Sequence, residues 1–170
     1  MPDEIKETLS ENSRAILAGV HPELARRVEG IADSLALESI FIQVDAGIRT
    51  AGMQDAIWAP GHTLPGKAVT NARGYQSNHV MGCAVDVYVE DVGTRQPDWN
   101  PAHPDWQRIV ALAPMYGLRD GKSWHDLPHL ELIEIPTEPP SEIQQLCEQK
   151  GVSAVWEKLA IPTFDLPSVS

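Results

Sequence analysis

At 170 residues, with 42% hydrophobic and 22% charged residues, the chain has the length of one domain and the composition of an ordinary soluble globular protein, which excludes a fibrous or wholly disordered chain. Lys and Arg number 13 against 24 Asp and Glu, a formal charge of -11. That balance excludes the concentrated basic face required by a nucleic-acid groove or an anionic membrane surface.

The acidic start MPDEIKETLSENSR has neither the basic opening nor the apolar run of a secretory signal, and no later stretch is long and apolar enough to span a membrane. Synthesis in the cytoplasm is therefore expected. Residues 1–12 read as a polar, solvated lead-in, with Ser13 placed to cap a short turn. Val20-His21-Pro22 then opens a helix in which Leu24, Val28, Ile31 and Leu35 form one apolar stripe, with Arg26, Arg27, Glu29 and Asp33 off it. The β-branched run Ile40-Phe41-Ile42-Gln43-Val44, ended by Asp45-Ala46-Gly47, predicts a buried strand and a turn. A helix is expected over 51–59, and the Gly- and Pro-rich stretch 60–75 reads as a long loop over one face. Residues 83–89 alternate and are rich in valine, a second strand. Residues 104–113 form a helix with Trp106, Ile109, Val110 and Ala113 on its apolar side, and 129–135 a third strand. The breaker TEPPS precedes helices over 141–150 and 152–159, with Trp156 as their docking anchor. The two cysteines, Cys83 and Cys147, are too few for a disulfide framework and are expected as free thiols.

The chemistry gathers in two strings. In Ser77-Asn78-His79-Val80-Met81-Gly82-Cys83-Ala84-Val85-Asp86 a histidine ends a loop, a glycine sits where the chain turns tightly, and a carboxylate stands inside an apolar strand. Side chains alternate along a strand, so Ala84, Asp86 and Tyr88 share one face and Cys83, Val85, Val87 and Val89 the other. A carboxylate buried without a partner costs several kcal/mol, and a metal held jointly with His79 is the economical counter-charge. The second string is Trp124-His125-Asp126-Leu127-Pro128-His129-Leu130-Glu131. His129 as third ligand completes a His, Asp, His set with a position left for water, the pattern of catalytic rather than structural zinc. Asp126, three residues earlier across a proline, is placed beside the metal without entering its ligand set, where a general base belongs.

Ser77-x-His79-x-x-Gly82-x-Ala84-x-Asp86, followed about forty residues on by Asp126-x-x-His129, resembles the zinc metallopeptidases that include VanY-type D,D-carboxypeptidases and phage L-alanyl-D-glutamate endopeptidases. Val20-His21-Pro22-Glu23-Leu24, Gly47-x-Arg49-Thr50, Gln54 and Trp124 agree with it, and the likeness covers roughly residues 13–136. It implies an α+β fold, a small antiparallel sheet flanked by helices in one domain, with zinc bound by His79, Asp86 and His129 in a cleft on the sheet and Asp126 as base. Residues 137–170 are then a helical extension packed on the same domain. The Asp-x-x-His form resembles the endopeptidase branch, so the implied substrate is the peptidoglycan stem peptide, cut between L-Ala and D-Glu by a monomer that meets the wall in the periplasm or by host lysis. Removal of terminal D-alanine, or a non-catalytic zinc-stabilised binding module, are the alternatives.

For the surrounding residues two readings stand side by side. Arg49 either braces the loop through a salt bridge or steadies the developing oxyanion or a substrate carboxylate. Gln54 either bonds the loop or touches substrate, as Trp124 does in the second reading. Ser77 either caps the turn before His79 or bonds a ligand. Glu131, of like parity with His129, orients that histidine or is an edge-strand surface charge. Cys83, of opposite parity to Asp86, belongs to the core. His125 is a substrate contact or simply exposed, and His62 and His103 carry no spacing signal. Residues 46–85 carry Arg49, Lys67 and Arg73 against Asp55 alone, a local balance of +2 that suits an anionic stem.

Overall fold

The computed structural model describes residues 7–169, so the first half of the expected lead-in, residues 1–6, lies outside the described residues. The second half is not solvated throughout. Leu9 is buried in the core, and Ser10, not Ser13, caps helix α1 (Glu11–Leu17) by accepting from the Ser13 amide. Ser13 is instead buried on the sheet side of that helix. Its hydroxyl donates to Gln43 Oε1 at 2.8 Å and accepts from the Val44 amide at 2.9 Å, so α1 lies along strand β1 (Ile42–Ala46).

Helix α2 (Pro22–Leu37) starts as its sequence directs: His21 Nδ1 accepts from the Glu23 amide at 3.0 Å and proline takes the first turn, where no amide is needed. Leu24, Val28, Ile31 and Leu35 are all fully buried, as the stripe predicts. Helix α3 (Ala51–Trp58) is capped by Thr50. Strand β2 (Ala84–Glu90) sends Val85, Val87 and Val89 into the core, in keeping with its alternation. The two-residue strand β3 (Pro97–Asp98) pairs with the far end of β2, and helix α4 (Asp105–Leu112) packs Trp106 and Ile109 inward. A hairpin follows, strands β4 (Leu118–Gly121) and β5 (Asp126–Leu132), and then helices α5 (Ser141–Lys150) and α6 (Val152–Leu159).

The sheet is antiparallel at every pairing, ordered β1-β2-β5-β4 with β3 beside the end of β2, so the expected α+β class holds. The third strand starts three residues earlier than its apolar run suggests, because pairing to β4 extends it back to Asp126. Strand β4 itself went unread, since Leu-Arg-Asp-Gly carries no alternation to mark it. No described helix is long and apolar enough to cross a membrane.

The C-terminal segment is clamped to α2 by a residue that sequence placed merely off the stripe. Arg27 is fully buried; it donates to both oxygens of Glu134 at 2.8 and 2.9 Å, to the Gly117 carbonyl at 2.8 Å and to the Pro162 carbonyl at 3.1 Å. Glu23 accepts from Arg27 and from the Phe164 amide, and the Phe164 ring lies 4.8 Å from the Arg27 guanidinium carbon.

Candidate metal centre

Asp86 and His129 are direct cross-strand partners in the β2–β5 ladder, which stands their side chains together on one face of the sheet. His79 reaches them from the loop before β2. Gly82, at φ +67°, turns that loop back, and a Cβ there would lie 2.9 Å from the ring of Trp156. Trp156 Nε1 also donates to the Met81 carbonyl at 2.8 Å, so the anchor expected of Trp156 docks α6 against the loop carrying His79. One ligand atom from each of His79, Asp86 and His129 lies within 4.8 Å of the others; His79 Nε2 is 3.3 Å and His129 Nδ1 3.7 Å from Asp86 Oδ1.

The outer nitrogens fix the rings. His79 Nδ1 is 2.9 Å from the Gly47 carbonyl, which only accepts, so Nδ1 carries the proton and Nε2 turns its lone pair inward. His129 Nε2 is 2.8 Å from Glu131 Oε2, which already accepts from Asn78 Nδ2 at 2.9 Å, so Nε2 carries the proton and Nδ1 faces Asp86. With both rings neutral, three electron-rich atoms converge with no donor between them, and a cation relieves that arrangement. Without such a cation, the site draws a proton in its place. Burial works against charge on Asp86, yet His129 and His79 outweigh it and hold its carboxyl far below the usual range. Burial opposes charge on His129 as well, and Asp86 and Glu131 overcome it, pushing its pKa up to about 9. Two imidazoles and one carboxylate, each braced from behind, fit zinc as a donor set.

Asp126 stands beside this group with Oδ2 3.8 Å from His129 Nδ1. Residues three apart on a regular strand face opposite ways, so both reach the cleft only because β5 is irregular: pairing jumps from Asp120↔Leu130 to Gly121↔Asp126. Pro128, which has no amide to give a ladder, lies inside the jump. Burial, and then the negative charge of Asp86, push the Asp126 pKa up from its ordinary value.

The remaining predicted residues are brought to the same cleft, of about 570 Å³, and their contacts distinguish the readings. Arg49 donates to Asp86 Oδ2 at 2.8 Å and to Gln54 Oε1 at 3.3 Å, bracing a ligand carboxylate. Gln54 is buried and donates to the Ala72 carbonyl at 2.9 Å, so it ties Arg49 to the 60–75 loop. Ser77 Oγ accepts from the His79 amide at 3.2 Å, a turn cap. Trp124 is partly exposed and sets its ring against that of His129, 5.6 Å between centroids. His125 lines the cleft in a left-handed conformation, φ +61°. Glu131 is buried, 1% exposed, on a strand flanked on both sides, which leaves no edge for a surface charge; Arg119 Nε lies 3.1 Å from its Oε1. Cys83 is buried away from the cleft, and burial first, with Glu131 next, pushes its thiol up to about 12. His62 stacks on Trp58 at 4.4 Å, outside the cleft. Asn78 was given no role by sequence, yet its Nδ2 also donates to the Pro136 and Thr137 carbonyls at 2.8 and 3.2 Å; its place beside His79 was the one signal available.

Residues 70–132, from the cleft loop to the end of β5, match a peptidase family described as D-alanyl-D-alanine carboxypeptidase. CwlK of Bacillus subtilis (strain 168), a peptidoglycan L-alanyl-D-glutamate endopeptidase, is 29% identical over 123 residues, 67% of this chain and 74% of that protein. Over that span the chain is similar to this peptidase family and to CwlK. Among solved structures, the L-Ala D-Glu endopeptidase ChiX of Serratia marcescens superimposes with a TM-score of 0.54 at 24% identity, over 76% of this chain and 93% of that one. The LD-carboxypeptidase LdcB gives 0.53 at 19% identity, over 82% and 69%. Both likenesses are of fold.

Proposed function

We propose that the chain is a zinc-dependent peptidase that hydrolyses peptidoglycan stem peptides between L-Ala and D-Glu, its peptidase domain spanning 13–136 with 137–170 as an extension packed upon it. The observation that carries this reading is Asp126: a carboxylate with raised pKa, beside three converging donors but outside them. A module using the metal only as a staple has no need of such a group. Zinc held by His79, Asp86 and His129 would supply a Lewis acid to polarise the scissile carbonyl and to lower the pKa of water. Asp126 Oδ2 takes the proton of the attacking water and returns it to the leaving amine. Arg49 and Glu131 fix the orientation of Asp86 and His129, and Trp124 and His125 wall the cleft beside the base.

The CwlK and ChiX names favour the endopeptidase bond. The charges of the cleft do so independently. A carboxypeptidase needs a cation free to take the terminal carboxylate. Of the three candidate cations, Arg49 lines the cleft but is already engaged by Asp86 and Gln54, Lys67 is not among the lining residues, and Arg73 lies outside, beside Asp55 and the Trp58 ring. Digestion of purified sacculi with zinc-loaded protein, followed by mass spectrometry of the new termini, should give C-terminal L-Ala and N-terminal D-Glu. Release of D-alanine from a pentapeptide, abolished by amidating its C-terminus, would move the assignment to a D,D-carboxypeptidase. Sacculi bound but left intact would move it to a binding module.

A further inference from the structure

The face of β2 that carries Asp86 continues to Tyr88, two residues on, and there an aromatic pair stands that the centre does not use. β3 pairs Asp98 with Val89, so Trp99 falls opposite Tyr88; the two rings are 5.4 Å apart and tilted by 54°. Trp99 is 47% exposed, and its segment is tied down by Trp106 Nε1, which donates to the Asn100 carbonyl at 3.0 Å. A large exposed indole on an anchored segment, beside a half-buried phenol, offers a flat apolar surface with polar edges. The charges around it are mostly negative: Asp45 is exposed, Asp98 adjoins Trp99, and Glu90 is paired with Arg95. Glu90 stands two residues on from Tyr88 along β2, and Asp45 lies on the neighbouring β1, two residues past Gln43, the partner of Tyr88. An anionic ligand is disfavoured on that surface. The 60–75 loop, which lines the cleft through Val69, Thr70, Asn71 and Ala72, lies in the stretch with the +2 balance.

We infer that Tyr88 and Trp99 form a platform for a neutral sugar ring, the muramic acid residue that bears the stem peptide. This rests on the cleavage proposed above, because that bond fixes the spacing. From the L-Ala carbonyl to the sugar runs one residue and a lactyl arm, about 7 Å when extended. Along a strand, residue i to i+2 is also about 7 Å. With the scissile carbonyl at Asp86, the sugar reaches Tyr88, its C–H face on the indole, and the anionic remainder of the stem runs toward the 60–75 loop. The lactyl carboxyl of muramic acid is consumed in its amide to L-Ala, so the sugar brings no negative charge to the acidic end.

The test compares two substrates of equal peptide length, one carrying N-acetylmuramic acid and one N-acetylated at L-Ala. The wild type should show a higher kcat/KM on the sugar-bearing substrate, and Trp99→Ala should lower the ratio of the two values by about tenfold, with Trp99→Phe restoring part of it. Binding of N-acetylmuramoyl-L-alanine to zinc-loaded Asp126→Asn protein, followed by calorimetry, gives a readout without turnover and should weaken with Trp99→Ala. Cleavage at the expected bond with no sugar preference, or a ratio that Trp99→Ala leaves unchanged, overturns the platform and spares the activity. Binding that depends on Trp99 without cleavage of either substrate upholds the platform and overturns the activity. Neither binding nor cleavage overturns both.

Discussion

The proton on each histidine is set from outside the centre, so the residues behind the ligands should govern metal affinity. Glu131→Gln keeps the size of the side chain but removes the charge facing His129 Nε2, and zinc affinity measured by chelator competition should fall about 10- to 100-fold. His129→Ala should lose the metal altogether. Asp126→Asn separates base from ligand: the protein should stay folded and zinc-loaded while turnover on stem peptide falls about 10²- to 10⁴-fold. A metal-free Asp126→Asn protein would make Asp126 a ligand. Much of this was legible in the sequence. Asp86 is the odd carboxylate of an apolar strand, and Glu131 shares the parity of His129, so local periodicity alone points both toward the centre. Arg49, Gln54 and Ser77 were legible only as residues near it, because the choice between bracing and substrate contact depends on partners such as the Ala72 carbonyl. Asn78 was legible only by its place beside His79: the carbonyls it holds, Pro136 and Thr137, lie 58 and 59 residues away and are backbone groups that any residue would offer.

At the scale of the element, β5 decides the site. The alternation of Leu130, Glu131 and Leu132 marks the strand, but the irregularity that turns Asp126 and His129 to one side follows from the hairpin with β4, which has no periodic signature of its own. Pro128 was the visible trace. Gly121 is where this hairpin is tightest: a Cβ there would lie 2.1 Å from the Asp126 carbonyl oxygen and 2.9 Å from His129 Cβ. The exclusion is steric, since its φ of -95° is open to any residue. Gly121→Ala should therefore displace both Asp126 and His129, lowering zinc affinity and turnover together. Gly93→Ala is the control, because its Cβ would meet nothing closer than Asp91 Oδ1 at 3.4 Å, an ordinary contact, and both readouts should stay at the wild-type level.

For the whole molecule the unforeseen feature is the clamp between α2 and the C-terminal segment. Heptad-like spacing placed Arg27 off the apolar stripe, and helix periodicity carries no information about a tail that returns 135 residues later to cover that side. Removing one member of a buried ion pair leaves the others uncompensated, so Arg27→Ala should lower unfolding free energy by about 3–5 kcal/mol. The same clamp predicts a sign for the response to acid. Burial raises the Glu23 pKa, but hydrogen bonds from Arg26, the Phe164 amide and Arg27 outweigh it and lower the pKa from 4.5 to about 2. A carboxyl whose folded pKa is depressed binds fewer protons when folded, so its contribution is fully present above 4.5 and is lost as pH falls from there toward 2. The thermal midpoint of the wild type should accordingly exceed that of Glu23→Gln at pH 7, and the difference should shrink between pH 4.5 and 3. Thermal melts of the two proteins across that range check this; a difference that stays constant down to pH 3 would mean that the charge on Glu23 does not hold the tail.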